Sequence, residues 1–284
     1  MELVHQEVEE EGKQKQKQFK STLILPALSI GNVGQLAIDL LVSSMGAQRI
    51  GYLDDPSILP CVGNNAYGPL PYGLLALPLE VYDSSSNALT LIQQRSPVVK
   101  GMGMEFATNL ADLAAKSGSK HVVVLSSLDS GRRQKIDESR NTQIYYLSSI
   151  NTDGTDEDCE KLGWKRLEYN PMQKRWNYLN ALAEGNLQVE SSSFEDELLD
   201  EDYYPSLPFA ALFSCCKAKG LKVTCILCYC SEGDNISDSF PLAEAALKLL
   251  GKNPNKLCGQ EKVGWRIPYS WSTVYGPPAD MSLF

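Results

Sequence analysis

Thr22-Leu23-Ile24-Leu25-Pro26-Ala27-Leu28-Ser29-Ile30-Gly31-Asn32-Val33-Gly34-Gln35-Leu36-Ala37-Ile38-Asp39-Leu40-Leu41-Val42 is the stretch that decides the fold. Thr22 to Ala27 is an apolar run of strand length, which predicts a buried strand. Ser29-Ile30-Gly31-Asn32 reads as a turn, with Gly31 at positive φ and Asn32 capping the next element. From Val33 the apolar period changes to that of a helix. Val33, Leu36, Ala37, Leu40 and Leu41 share one stripe, and Gly34 permits close helix–sheet packing. Arg49 to Leu53 reads as a second strand. Strand, helix, strand is a βαβ unit and predicts an α/β protein.

Working outward, the pattern repeats. Asp54 to Tyr72 is rich in turn residues and includes Asn64 and Asn65, so it reads as loop. Leu79 to Tyr82 and Ala88 to Gln94 read as a strand pair joined at Ser84-Ser85-Ser86-Asn87. Met104 to Lys116 is helical. His121 to Ser127, a β-branched run straight after it, reads as a central parallel strand. Gln143 to Leu147 and Lys161 to Tyr169 are expected to be strands. Leu207 to Lys219 reads as a helix, Leu221 to Cys230 as a long strand, and Phe240 to Leu250 as a helix. The aromatic and Pro-rich residues from Trp265 to Phe284 are expected to pack irregularly over the domain. The expected architecture is a three-layer α/β/α domain with a mostly parallel or mixed central sheet. It spans 21–284, with a flexible arm over 1–20 and an acidic surface insertion near 184–205.

The 284 residues carry a net charge of -9. That balance argues against nucleic acid and anionic membrane as main partners. No run approaches the length of a membrane span, and the N-terminal residues lack the apolar core of a secretory signal. The expected location is cytoplasmic, with the nucleus also open. Five of the eight cysteines sit in the apolar runs Cys215-Cys216 and Cys225 to Cys230. They read as reduced core thiols rather than disulfides.

The candidate chemistry is sparse. The Gly31–Gly34 turn lies where phosphate-binding loops occur, but it lacks the third Gly of a dinucleotide fingerprint and the Lys of a P-loop. Cys225, Cys228 and Cys230 approach metal-ligand spacing. Strand alternation puts Cys225 on one face and the other two on the opposite one, which disfavours a closed zinc site. Only His121 could serve a nucleophilic triad, since the other histidine is His5 in the arm. Glu232-Gly233-Asp234-Asn235 comes after a long strand, where paired acids can bind a cation or act as acid and base; they can equally cap the next helix and form its turn. The tail ending Leu283-Phe284 can enter a partner's pocket or fold back on its own domain. No catalytic, cofactor or metal set is assigned from the residues.

Leu25 to Ala37, Ile50-Gly51-Tyr52, Val62-Gly63-Asn64-Asn65, Glu80-Val81-Tyr82 and Leu91 to Ser96 carry a resemblance, together with Val124 to Ser127, Ser231 to Asn235 and Trp265 to Trp271. Taken in order, they are similar to the proteasome assembly chaperone 2 family. The resemblance implies a phosphorylase/hydrolase-like fold without its active site and without a cofactor. It implies a non-enzymatic chaperone that forms a heterodimer with proteasome assembly chaperone 1, binds alpha subunits of the proteasome core particle and promotes alpha-ring assembly. Its motif positions, as candidate partner contacts, are Gly31, Asn32, Val33, Gly34, Gln35, Asn64, Asn65, Glu232, Gly233, Asp234, Asn235, Leu283 and Phe284. Related chaperones dock through a C-terminal hydrophobic-Tyr-any-residue motif. Here Leu283 stands in place of the Tyr, so the resemblance does not assign that docking to this tail. The alternative left by the residues is a small-molecule or nucleoside-binding α/β enzyme or regulator using the Gly31–Gly34 turn with Glu232 and Asp234.

Overall fold

A computed structural model describes residues 1–5, 19–68, 74–133, 143–186, 202–253 and 264–273. Its centre is a sheet of nine strands: β1 (Glu2–His5), β2 (Thr22–Pro26), β3 (Gln48–Asp54), β4 (Leu79–Ser84), β5 (Leu89–Gln94), β6 (His121–Asp129), β7 (Ile144–Ser148), β8 (Lys165–Arg166) and β9 (Lys222–Cys230). Their spatial order is β1-β3-β4-β5-β2-β6-β9-β7-β8. β5, β2, β6 and β9 run parallel, while β1, β3 and β4 pair antiparallel on one side and β7 pairs antiparallel with β9 on the other. The sheet is therefore mixed.

Helices cover both faces. α1 (Val33–Met45) and α7 (Ile236–Leu249) lie on one face. α2 (Gly103–Lys116), α4 (Lys174–Ala183) and α6 (Pro208–Ala218) lie on the other. Two short helices, α3 (Glu157–Lys161) and α5 (Tyr203–Ser206), are also present among the described residues. Strand alternation explains why the central strands are apolar throughout. Leu23, Leu25, Val122 and Val124 enter the core beneath α2 and α6, whereas Ile24, Val123 and Leu125 enter the core beneath α1 and α7. Among the described residues no helix is long and apolar enough to cross a membrane.

The βαβ expectation holds in direction but not in adjacency. β3 runs the same way as β2, yet the β4–β5 hairpin occupies the space between them. The arm is not wholly unstructured either. Glu2–His5 pairs antiparallel with β3, so the stretch 1–20 holds an edge strand. Four residues with only Leu3 and Val4 apolar give no local signal; the ladder to β3 makes the strand. Residues 6–18 lie outside the described residues.

One further expectation needs correction. Within Lys161–Tyr169 only Lys165–Arg166 is strand. Just before it, Asp156 accepts from the backbone N–H of Asp158 at 3.1 Å and starts α3 as an N-cap. The acidic segment near 184–205 is structured at its far end. Asp202 accepts from Gln173 Nε2 at 2.7 Å and pairs with Arg175 at 3.4 Å, drawing the chain onto α4 before α5 begins. α4 is anchored by Trp176, whose ring meets Tyr169 edge-on at 4.9 Å. Residues 187–201 lie outside the described residues.

The C-terminal segment from Gly264 to Thr273 packs over the α1–α7 face. Trp265 and Trp271 flank Phe240 at 6.0 and 6.5 Å. The N–H of Arg266 donates to Ser44 Oγ at 2.9 Å. Leu283 and Phe284 lie outside the described residues.

Candidate functional site

The carboxyl ends of β2, β6 and β9 converge, and their loops hold most of the motif positions. Gly31 has φ 64° and Asn32 φ 51°, so the chain leaves β2 through two successive left-handed residues. Gly31 is required twice over. Its backbone is left-handed, and the Asn235 side chain fills the space a Cβ would need. The structure thus brings together two motifs far apart in sequence. Asn32 stands at the start of α1, but its side chain makes no capping bond, contrary to expectation. A left-handed backbone turns that side chain away from the first-turn N–H groups. Gly34 is pressed against the Leu125 carbonyl, so α1 sits directly on β6.

The polar groups of these loops are committed to the fold. Ser127 N–H donates to Ser29 Oγ at 3.0 Å, and Ser127 Oγ donates to the Ile30 carbonyl at 2.5 Å. Asp234 Oδ1 accepts from Ile236 N–H at 3.1 Å, capping α7, and Asn235 Nδ2 donates to the Gly233 carbonyl at 2.9 Å. Gly233 forms the turn with φ 134°. Glu232 is exposed. Val33 is buried beneath the turn, and the backbone carbonyl of Gln35 accepts from Gln93 Nε2 at 2.8 Å.

Asn64 and Asn65 lie elsewhere, over α1. Asn65 Oδ1 accepts from Tyr67 N–H at 3.0 Å, and Gly63 pairs with Ala76. This loop covers an ionic cluster that sequence reading did not single out. Arg95 meets Asp39 at 3.0 Å and Glu80 at 2.6 Å, and Glu80 also binds Arg49 at 2.8 Å. Tyr67 donates its hydroxyl to Asp39 at 2.5 Å, and the Arg95 guanidinium lies 5.6 Å from its ring centre. Burial, then the Asp39 charge, pushes the Tyr67 phenol well above its ordinary value. Burial opposes the charge on Arg95, but Asp39, Tyr67 and Glu80 outweigh it and hold the guanidinium protonated. Glu80 sits on β4 between Leu79 and Val81, and Arg95 follows directly on the end of β5.

A cleft of about 390 Å³ was also missed. It opens where α1 leaves β2 toward one face and α2 leaves β5 toward the other. This is a topological switch point, the usual crevice for ligands in open α/β sheets. Gln94 and Lys100 lie among largely apolar walls there. No local pattern marks such a site, because it exists only once β5 lies beside β2.

The remaining titratable groups suit packing. His121 Nε2 lies 3.0 Å from Thr224 Oγ1, and burial with nearby Lys222 lowers its pKa to about 4. Cys225 lies in one core, and Cys228 and Cys230 in the other. Burial raises the Cys216 thiol to about 12 and the Cys225 and Cys228 thiols well above the ordinary range. Among the described residues no three His, Cys, Asp or Glu side chains gather to hold a metal ion.

Comparison with known proteins accords with this geometry. Residues 23–256 match the PAC2 family. The chain is 36% identical over 226 residues to Proteasome assembly chaperone 2 of Nematostella vectensis, covering 78% of this chain and 85% of that one. It is 30% identical over 272 residues to Proteasome assembly chaperone 2 of Homo sapiens, covering 93% and 94%. The fold is similar to the crystal structure of Pyrococcus furiosus PbaA, an archaeal homolog of proteasome-assembly chaperone, with TM-score 0.58, 16% identity and 84% of each chain covered. With the family match covering most of its length and relatives 30–36% identical to it, this chain belongs to the PAC2 family.

Proposed function

We propose that this chain is a proteasome assembly chaperone without catalysis of its own. It acts with proteasome assembly chaperone 1 as a heterodimer, binds alpha subunits of the core particle and promotes alpha-ring assembly, in the cytoplasm and nucleus. The observation that carries this is the match to relatives named Proteasome assembly chaperone 2 along 93% of the chain. The loops support it. Of the two acids the enzyme alternative would use, Asp234 already accepts from the backbone N–H of Ile236, while Glu232 is exposed. Near the Gly63–Ala76 bridge, Val62, Leu74 and Leu75 expose large apolar side chains, at 69%, 46% and 57%. Exposed apolar groups close together suit a protein partner. Asn32, Asn64 and Glu232, exposed at the motif positions, are proposed as polar contacts around it.

Co-expression with the partner chaperone, gel filtration, and mass spectrometry of captured subunits test this. A one-to-one complex that retains alpha subunits is expected. A chain that stays monomeric and captures neither partner nor alpha subunits overturns the proposal.

A further inference from the structure

The cleft at the β2–β5 switch point has walls built from Leu28, Val98, Met104, Phe106, Leu207 and Leu212. Polar features of two kinds interrupt them. Gln94 is only 2% exposed, yet it is half satisfied. Its Nε2 donates to the Ser96 carbonyl at 3.0 Å, and its Oε1 has no hydrogen-bond partner among the described residues. Gln94 is itself part of the cleft lining. Lys100, also in the lining, is exposed and forms no ion pair among the described residues. Beside it α2 begins at Gly103, and its N-cap residue Met102 supplies no side-chain acceptor, so the first-turn N–H groups lack a cap. The cleft therefore combines an apolar body, one acceptor and one cationic end.

We propose that this cleft binds the carboxyl-terminal residue of a partner peptide that ends in a large apolar side chain. The side chain occupies the apolar walls. The terminal amide N–H donates to Gln94 Oε1, and the terminal carboxylate meets Lys100 and the start of α2. Charge complementarity and hydrogen-bond sense select this occupant. A fatty acid brings the anion and the apolar body but no N–H. An internal peptide segment brings the N–H and the side chain but no anion. The terminal residue of a peptide carries all three on adjacent atoms. The volume of about 390 Å³ lies within the range of ligand pockets.

The test uses the full chain with three probes: an N-acetylated Ala-Leu-Phe tripeptide with a free carboxylate, the same peptide amidated at its C-terminus, and octanoate. Binding is read from the Met104 methyl resonance. The acid is expected to shift it saturably, with the amide and octanoate each at least about tenfold weaker. Lys100→Ala, at an exposed position, should reduce the acid to the level of the amide. Gln94→Met should weaken acid and amide alike. Ala211→Trp, which fills the cleft, should abolish binding with the thermal midpoint checked alongside; if that variant unfolds, Lys100→Ala still decides. Equal affinity for acid and amide, octanoate as good as the peptide, or no Met104 response up to ~1 mM peptide would each overturn the proposal.

Discussion

The guanidinium of Arg95 lies 3.0 Å from a carboxylate oxygen of Asp39, tying the end of β5 to the middle of α1. The same guanidinium reaches Glu80 on β4 at 2.6 Å. Three elements that are separate in sequence thus meet at one buried cation. Replacing Arg95 with Met leaves two carboxylates in low dielectric with Arg49 alone to offset them. The expected loss is about 3–5 kcal/mol, measured by urea unfolding, because removing one partner strands the others. Arg95→Lys should recover only part of it, since an ammonium cannot hold both carboxylates with a planar fork.

Gly34 faces a different constraint. Any Cβ there would overlap the Leu125 carbonyl. Gly34→Ala is therefore expected to destabilise the protein by about 1–3 kcal/mol by pushing α1 off β6. Gly46 at the other end of α1 has nothing nearby, so the same change there should act only through its left-handed backbone. Thermal unfolding of the two variants separates crowding from strain.

His121 makes stability depend on pH. Its folded pKa is about 4, below the ordinary 6.5, through burial first and Lys222 second, with Asp156 opposing. Below the ordinary value the unfolded chain takes up the proton and the folded one does not. The stability this group contributes is present above pH 6.5 and falls as the pH drops toward 4, by about 3 kcal/mol at most. His121→Gln should flatten that part of the curve in urea titrations at stepped pH. An unchanged slope would rule out His121 as its origin.

The six buried cysteines should be silent in the folded protein. Cys159, Cys215, Cys216, Cys225, Cys228 and Cys230 are buried, and burial raises their thiols above the ordinary range. Cys61 is partly exposed. Iodoacetamide labelling read by peptide mass spectrometry should modify Cys61 well before those six, and all of them at similar rates in denaturant. Rapid native labelling of Cys228 or Cys230 would contradict the packing of that core.

The features legible in the sequence are the local ones. The short apolar run from Thr22 and the helical period beginning at Val33 located β2 and α1, and the β-branched run from His121 located β6. Strand alternation placed Cys225 opposite Cys228 and Cys230, as the two cores show. The rest depended on distant chain. Glu2–His5 is a strand only because β3 lies beside it. Asn32 failed as a side-chain cap because its own backbone is left-handed, a consequence of the Gly31 turn being clamped by Asn235. Glu80 and Arg95 meet over Asp39 only because the hairpin pairs β4 with β5. The cleft appears only when β5 takes its place next to β2, and no single segment announces that.

The placement of β6 bears on how the chain comes into being. It pairs with β2, already synthesised, and with β9, whose Lys222 partner to His121 emerges roughly a hundred residues later. Until then one long edge of this apolar strand lies open, with the backbone that will pair with it still untranslated. The newborn polypeptide is thus a strand-pairing hazard for roughly a third of its synthesis, and its own folding hinges on the late arrival of Lys222 to Cys230.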